Sequence, residues 1–416
     1  MATHAFVWVW LPKATDPIVA GRVQRNTVGG RDVHTFQYGR SYLDEPRAVP
    51  LFSELPMLAG VHVPQPGLDV AGVLLDATPD SWGRRVIKEK VLGNRNRDSP
   101  PADLDLLTYM LESGSNRIGA LDFQDSAKNY IPRGLDATAT LDELLHAADL
   151  IEAGKELPLS LANAILLGST VGGARPKALI ADGDRSLIAK FPSTTDQLPY
   201  VRYEAVAMEL ARRVGLHAAT TEVRSTAGRD VLLVDRFDRP SDGGRLMQVS
   251  ALTILGKNPE AARGTTSYPD LADAIRGLFT SPSATLRELF GRIVFNVIVR
   301  NTDDHARNHA AFWDGSSLTL TPAYDISPSG GRRDTEASHP MAISADGDNR
   351  SLLTVCKKAA TVFQLDAKEA QSVIDQQVQI VEDQWRDAAD HARLTNRQRD
   401  DMWNTSILNP AIFWDA

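Results

Sequence analysis

The pattern of apolar and polar positions changes along the first 165 residues from that of strands to that of helices. Ala5–Leu11 is a run of β-branched and aromatic residues followed by a proline, which predicts a strand. Further along, Thr78 and Pro79 predict the start of a helix, with threonine as the N-cap and proline at the first helical position. Between residues 102 and 165, leucines recur every three or four positions, which predicts helices.

The strand pattern returns at Ala178 and gives way to a helical one towards the C-terminus. Two short apolar runs flank Asp182-Gly183-Asp184, a combination that predicts a β-hairpin. Tyr203–Val214 is amphipathic at helical spacing and is followed by a glycine, which predicts a helix and its end. The longest predicted helix covers Asp366–Leu394. We therefore expect an α+β protein whose mixed α/β N-terminal half joins a helical C-terminal half near residues 236–245.

Composition narrows the class of protein but does not indicate an activity. The 416 residues are 43% hydrophobic and 24% charged, which is typical of a globular protein of two or three domains. The net charge of -8 disfavours direct nucleic-acid binding outside a local basic patch. The single cysteine, Cys356, cannot form an internal disulfide, and no apolar run approaches the length of a membrane span. With no signal-peptide pattern at the N-terminus, we expect a cytoplasmic protein without membrane contact.

The densest group of reactive side chains lies in Val299–Ala310, which holds two aspartates, two histidines and two asparagines. Asp303 precedes Asn308 by five positions, and Asp325 follows after a predicted pair of short strands. Protein kinases place a catalytic Asp, a metal-binding Asn and a second metal-binding Asp in this order. The carboxylate accepts the proton of the attacking hydroxyl, and oxygen ligands suit Mg²⁺.

Two other interpretations of this run stay open on the sequence alone. It fits a solvated helix N-terminus in which Asp304 is the cap and both histidines are exposed. The four-residue spacing of His305 and His309 also fits a zinc site, although neither a third ligand cluster nor an HExxH pattern supports it.

A glycine-rich segment, Leu167–Ala178, precedes the predicted hairpin and could place backbone N–H groups around phosphates. It lacks the Lys-Ser/Thr of a Walker A loop, so an ordinary loop is an equally good interpretation. Lys190 ends the second strand of the hairpin, where kinases keep the lysine that contacts the ATP phosphates. Glu204, in the next helix, could pair with it. A surface lysine and a solvated glutamate are the ordinary alternatives.

A third segment, Val231–Pro240, is an apolar strand that runs into a charged linker. This is the place for an adenine-binding hinge, in which backbone groups of Asp235 and Phe237 would bond the purine and Asp238 would reach the ribose. Taken alone, a buried strand with a charged exit explains the same residues.

The segments occur in the order that kinases use, and their motifs resemble those of the HipA family, the toxin kinases of bacterial toxin–antitoxin modules. The similar motifs are Leu75–Arg85 with its Pro-Asp-Ser-Trp-Gly-Arg, Gly173–Ala178, Ile188–Pro192, Asp235–Arg239, Asn301–Asn308 and Leu320–Ile326. The resemblance covers nearly the whole chain. It implies a two-lobed, protein-kinase-like α+β fold with an N-terminal β-rich module at 1–125, a nucleotide-binding α/β lobe at 126–240 and a helical catalytic lobe at 241–416.

The resemblance also implies roles for individual residues. Asp303 would be the catalytic base, Asn308 and Asp325 would hold Mg²⁺, Lys190 would contact the ATP phosphates and Lys177 would support the loop. The candidate nucleotide contacts are Thr170, Val171, Gly172, Gly173, Lys177, Lys190, Asp235, Phe237, Asp238 and His305. Thr170 stands where family members usually carry an autophosphorylated serine, with Ser169 just before it, so either residue is a candidate for this modification. Asp304 stands where relatives often have glycine.

The implied activity is ATP-dependent phosphorylation of serine or threonine in a protein such as an aminoacyl-tRNA synthetase, which would arrest growth and favour persistence. The implied partner is a HipB-like helix-turn-helix antitoxin, through which any DNA contact would be indirect. A small-molecule kinase of the same fold and a catalytically silent antitoxin-binding module are the alternatives.

Overall fold

The computed structural model describes residues 2–28, 30–92, 103–134, 139–166, 173, 175–259, 262 and 264–414. These residues divide into two compact units, each built from more than one stretch of chain. The first unit is Met1–Thr195, Ser225–Val249 and Trp313–Ser316, and the second is Asp196–Arg224, Ser250–Phe312 and Ser317–Ala416.

Strands concentrate in the first half of the chain and long helices in the second. The described strands are β1 His4–Val9, β2 Ile18–Val28, β3 Arg31–Tyr38, β4 Leu121–Gln124, β5 Lys177–Asp182, β6 Arg185–Lys190, β7 Thr221–Thr226, β8 Arg229–Asp235, β9 Gln248–Ser250, β10 Ala310–Trp313 and β11 Leu318–Leu320. The described helices are α1 Arg40–Leu43, α2 Gly72–Asp76, α3 Ser81–Leu92, α4 Leu106–Glu112, α5 Leu141–Glu152, α6 Leu159–Leu166, α7 Tyr200–Arg213, α8 Ala251–Ile254, α9 Tyr268–Leu278, α10 Pro282–Ile298, α11 Leu353–Ala359, α12 Ala367–His391 and α13 Asn396–Thr405.

The first unit contains two antiparallel sheets. One has the strand order β3-β2-β1-β4, and the other includes β5, β6 and β8 as neighbours. The hairpin predicted around Asp182–Asp184 is the β5–β6 pair, in which Lys177 lies opposite Lys190 and Gly183 adopts a φ of 60°. Apolar residues of α3 and α5 share one core with this sheet, including Trp82, Leu144 and Leu187. The N-terminal helix α3 and the hairpin therefore bury the same apolar surface.

The second unit is organised around α10, which is buried on more than one face. Phe290, Ile293, Val294, Phe295 and Val297, which point to different sides of the helix, are almost fully buried. The predicted long helix is α12, where Asp366 and Glu369 form a capping box at the N-terminus. The predicted catalytic residues lie in the segment that directly follows α10.

One predicted helix start is wrong. The helix expected to start directly after Thr78 begins at Ser81. The Thr78 hydroxyl instead donates a 2.6 Å hydrogen bond to the carbonyl oxygen of Leu75, at the end of α2. The predicted helix at 203–214 is confirmed as α7, which starts three residues earlier.

Candidate active site

The predicted catalytic segment is a loop that leaves the C-terminus of α10. Arg300 adopts a left-handed φ of 56°, and the Asn301 amide donates a 2.8 Å hydrogen bond back to Asn296 O. A single 3-10 turn, Ala306–Asn308, follows before β10. The alternative of a solvated helix N-terminus is therefore wrong, since the segment is not an α-helix and Asp304 does not cap one.

Asp303 presents its carboxylate to solvent at the edge of a cavity of about 140 Å³. The cavity is open to solvent on one side and is lined by apolar residues such as Leu252 and Pro340 together with His305. The Asp303 carboxylate makes no hydrogen bond or ion pair within the part of the chain that the structure describes. An exposed carboxylate without a protein partner beside a cavity can accept a proton from an incoming hydroxyl group.

The adjacent Asp304 has the opposite environment. It is 3% exposed, and its Oδ2 atom accepts hydrogen bonds from Asn296 Nδ2 at 2.7 Å and from the Tyr268 hydroxyl. His309 Nε2 lies 2.9 Å from the same oxygen. Burial alone would raise the pKa of Asp304, but the charge and hydrogen bond of His309 and the bond from Tyr268 lower it. Asp304 is thus the buried support of the loop and is not available to a substrate.

Asn308 and Asp325, the predicted Mg²⁺ ligands, flank the paired strands β10 and β11 in the sequence. The hydroxyl of Tyr324 donates a 2.7 Å hydrogen bond to the Arg307 carbonyl oxygen, which joins the residues next to each predicted ligand. Asn308 Nδ2 donates to the Asp303 carbonyl oxygen at 3.3 Å, so Oδ1 is the atom left for a cation. Asp325 has a φ of 60°, a costly conformation for a non-glycine residue and one common at functional sites.

This pair of oxygen donors fits a Mg²⁺ ion better than it fits zinc. No group of three or more histidine, cysteine or acidic residues that could hold a metal occurs among the residues with described positions. Mg²⁺ commonly binds through one or two protein ligands and completes its shell with water and phosphate oxygens. His309, one of the two histidines in the zinc alternative, directs Nε2 to Asp304.

His305 is half-buried beside Asp303 at the same cavity. Its Nδ1 atom is buried and has no hydrogen-bond partner among the described residues. The predicted role of His305 near the nucleotide stays a prediction.

In the first unit, the described part of the glycine-rich segment consists of Gly173 and the residues from Arg175 onwards. The predicted contacts Thr170, Val171 and Gly172, and the candidate modification sites Ser169 and Thr170, lie outside the described residues. Gly173 has a φ of 112°, and a Cβ atom there would lie 2.1 Å from Lys177 Nζ. The ammonium group of Lys177 is therefore packed directly against the backbone of Gly173.

The two lysines of the hairpin differ in burial. Lys177 is 3% exposed, whereas Lys190, opposite it in the sheet, is half-buried at the end of β6. Glu204 is buried in α7, and its predicted pairing with Lys190 stays a prediction.

The segment after β8 fits the predicted hinge only in part. Phe237 is half-buried, and the Asp235 carboxylate accepts a 2.8 Å hydrogen bond from Arg185 Nη2. Asp238 is 4% exposed, and its oxygens accept hydrogen bonds from Arg236, from Arg239 and from the backbone amide of Gly119. The prediction that Asp238 reaches the ribose does not fit this geometry, because both carboxylate oxygens are already engaged inside the protein.

Several residues that shape these segments were missed by sequence reasoning. They are Tyr268 and Asn296 on either side of Asp304, Trp82 beside Lys177, and Arg236 and Arg239 around Asp238. Tyr268, Asn296 and Trp82 contact residues far from them in sequence, and Arg236 and Arg239 also donate to the carbonyl oxygen of Arg117, so spacing within a motif could not indicate these contacts.

No helix in the described ranges is both long and apolar enough to cross a bilayer.

Comparisons with known proteins identify the family to which the chain belongs. A family model described as the HipA-like C-terminal domain matches residues 169–385, just over half of the chain. The protein named "Putative kinase Y4mE" of Sinorhizobium fredii is 26% identical over 85% of this chain and 87% of its own length. The serine/threonine-protein kinase toxin HipA of Shewanella oneidensis is 27% identical over 44% of this chain and 48% of its own.

The predicted fold class is confirmed by a solved structure of the HipA, HipB and operator DNA complex of Shewanella oneidensis MR-1. It superposes with a TM-score of 0.68 at 18% identity, covering 93% of this chain and 92% of that one. The chain therefore has an α+β, protein-kinase-like fold and belongs to the HipA family, as a HipA-like kinase.

Proposed function

We propose that the chain is an ATP-dependent serine/threonine protein kinase in which Asp303 is the catalytic base. The observation that carries the proposal is the contrast between two adjacent carboxylates. Asp303 is exposed at a cavity and its carboxylate has no partner among the residues that the structure describes, while Asp304 is buried with its Oδ2 atom engaged by three neighbours. An exposed carboxylate held beside a buried, hydrogen-bonded one suits a general base on a rigid support.

The acceptor hydroxyl would bind at Asp303, and the carboxylate would orient it and accept its proton as its oxygen bonds to the γ-phosphorus of ATP. The bond between the γ-phosphorus and the β–γ bridging oxygen would break at the same time, and ADP would leave. Lys190, supported by Lys177 and Gly173, would contact the phosphates of ATP, and His305 and the backbone of Asp235 and Phe237 would lie near the nucleoside. Asn308 Oδ1 and the Asp325 carboxylate would hold Mg²⁺. When bound, the ion neutralises the charge on the phosphates.

The kinase would act as the toxin of a toxin–antitoxin module. The named toxin of Shewanella oneidensis and the structural similarity to HipA in complex with HipB and operator DNA support this role. We propose a HipB-like helix-turn-helix antitoxin as partner, with DNA contacted only through it. The substrate would be a cytoplasmic protein such as an aminoacyl-tRNA synthetase, and Thr170 or Ser169 would be autophosphorylated. We also propose that the chain consists of an N-terminal module at 1–125, a nucleotide-binding lobe at 126–240 and a catalytic lobe at 241–416.

Asp303→Asn tests the proposal directly. The amide cannot accept the proton, so we expect phosphotransfer from labelled ATP to fall by about 10²–10⁴-fold. The exposed site should leave the free energy of unfolding within about 0.5 kcal/mol of the wild type. Glu382→Gln, an exposed change on α12, is the matched control and should keep full activity.

The form of the labelled product separates the remaining possibilities. A labelled protein band in lysate supports a protein kinase, and a labelled metabolite would point to a small-molecule kinase. Undiminished activity of Asp303→Asn would refute the assignment of the base. A wild-type chain that is not stabilised by ATP and Mg²⁺ would be a silent binding module.

A further inference from the structure

The motif Pro79–Arg85 lies in the N-terminal part of the chain and has no part in the proposed chemistry. Its central residue, Trp82, is in the first turn of α3 and is 2% exposed. The indole ring is buried in the core that α3 shares with the β5–β6 hairpin, beside residues such as Leu187 and Phe191. A buried tryptophan usually donates a hydrogen bond from its indole N–H group, and the acceptor shows which part of the chain the tryptophan contacts.

The polar groups of Trp82 contact the predicted phosphate-binding segment. The indole Nε1 donates a 3.1 Å hydrogen bond to the carbonyl oxygen of Lys177, 95 residues further along the chain. The backbone amide of Trp82 points to the carbonyl oxygen of Gly173 at 3.4 Å. One residue of α3 thus bonds the backbone at both ends of the stretch Gly173–Lys177.

The same stretch is tightly packed from its other side. Gly173 has a left-handed φ, and the space that a side chain would take there is filled by the Lys177 ammonium group. Lys177 Nζ therefore lies directly against the backbone of Gly173, and the carbonyl oxygens of both Gly173 and Lys177 accept hydrogen bonds from Trp82.

We propose that Trp82 is a positioning residue for the nucleotide phosphates, which it serves by fixing the backbone of Gly173 and Lys177. The inference rests on the proposed kinase function. Without the indole hydrogen bond, the backbone of Gly173 and Lys177 would be less well fixed before ATP binds. Ordering it on binding would cost free energy, so the affinity for ATP would fall. The chemical step is unaffected once ATP is bound, because Asp303 and its support lie in the second unit. An ordinary core tryptophan would contribute to stability alone.

Trp82→Phe removes the N–H donor and keeps most of the aromatic packing. Trp8→Phe is a matched control, since Trp8 is also buried in the first unit and its Nε1 donates a 2.9 Å bond to the Ser126 carbonyl oxygen. In the full chain we expect Trp82→Phe to raise the Kd and KM for ATP in the presence of Mg²⁺ by about fivefold, the loss of one hydrogen bond. The kcat should stay within about twofold. Trp8→Phe should leave Kd, KM and kcat unchanged, even though both variants melt at lower temperature.

Three results bear on the inference. An unchanged Kd for ATP in Trp82→Phe, or an equal rise in Trp8→Phe, would overturn it while leaving the proposed kinase function intact. A wild-type chain without any affinity for ATP would overturn the proposed function itself. Should Trp82→Phe not fold, the isosteric analogue benzothienylalanine at position 82 removes only the N–H group, and the same rise in Kd is expected.

Discussion

At the scale of single residues, Asp303 and Asp304 show how one loop separates chemistry from support. The Oδ2 atom of Asp304 receives three contacts, from Tyr268, Asn296 and His309, all inside the protein. The charge of such a buried carboxylate is tolerated because its hydrogen-bond donors compensate it. The buried donors in turn depend on that charge for their own stabilisation. Its neighbour Asp303 makes no such contact with the described residues and contributes little to the folded state.

Asp304→Asn should therefore destabilise the protein far more than Asp303→Asn does. The amide lacks the negative charge that compensates three buried donors, and we expect the free energy of unfolding to fall by about 3 kcal/mol. Urea unfolding monitored by circular dichroism measures this change, with Asp303→Asn as the adjacent control. Equal stabilities of the two variants would show that the two environments do not differ as described.

His339 gives the stability a dependence on pH. Burial lowers the pKa of His339 from 6.5 to about 4, although the charge of Asp304 opposes the shift. Between these pH values the unfolded chain binds a proton that the folded chain does not, so stability rises with pH across this window and is lost as the pH falls. From pH 7.5 to pH 5 this residue should cost about 2 kcal/mol.

His339→Gln removes this contribution. Its free energy of unfolding at pH 7.5 should fall somewhat, because the bond to Ser351 is lost, but its decrease towards pH 5 should be smaller than that of the wild type by about 2 kcal/mol. His391→Gln changes an exposed histidine of α12 and should keep the wild-type pH dependence. A wild-type slope in His339→Gln would contradict the assignment.

At the scale of elements, the sequence was most informative where a helix or hairpin depends on its own residues. The amphipathic period predicted α7 and α12 to within a few positions, because one buried face repeats along each helix. The same local reasoning was wrong at Thr78, whose hydroxyl bonds Leu75 rather than the start of α3. A threonine between two helices can bond either the end of the first or the start of the second, and the local sequence does not decide between them.

The candidate site was predictable in its residue types and their order but not in their environments. Asp303 and Asp304 are identical side chains in consecutive positions, and only the burial of one of them, beside α9 and α10, separates a base from a support. Likewise, nothing local indicates that Trp82 contacts a residue 95 positions away. Such pairings follow from tertiary packing, which periodicity and spacing do not encode.

At the scale of the whole molecule, buried arginines join distant parts of the chain within the first unit. Arg236 and Arg239 follow β8, and their guanidinium groups donate to the carbonyl oxygen of Arg117, before β4. Asp238 accepts from both arginines and from the Gly119 amide. The N-terminal residues and the predicted hinge are therefore one compact unit with a shared polar core.

Asp238 is the anion on which this polar core depends. Burial alone would raise its pKa, but Arg236 and Arg239 lower it, so the residue is charged at any working pH. Asp238→Asn leaves two buried guanidinium groups without their counter-charge, and we expect the free energy of unfolding to fall by about 3–5 kcal/mol. Asp235 lies three positions before Asp238 and is a half-exposed partner of Arg185. Asp235→Asn should therefore lower the free energy of unfolding by less than about 1 kcal/mol.

The same pair of variants decides what Asp238 does for the nucleotide. If Asp238 only holds the polar core, folded Asp238→Asn, assayed below its lowered melting temperature, binds ATP with a Kd close to that of the wild type. A variant of normal stability whose Kd for the nucleotide rises about tenfold, the cost of a lost charged hydrogen bond, would restore the ribose contact predicted from the sequence. Because both carboxylate oxygens are already engaged by Arg236, Arg239 and Gly119, we expect the first result.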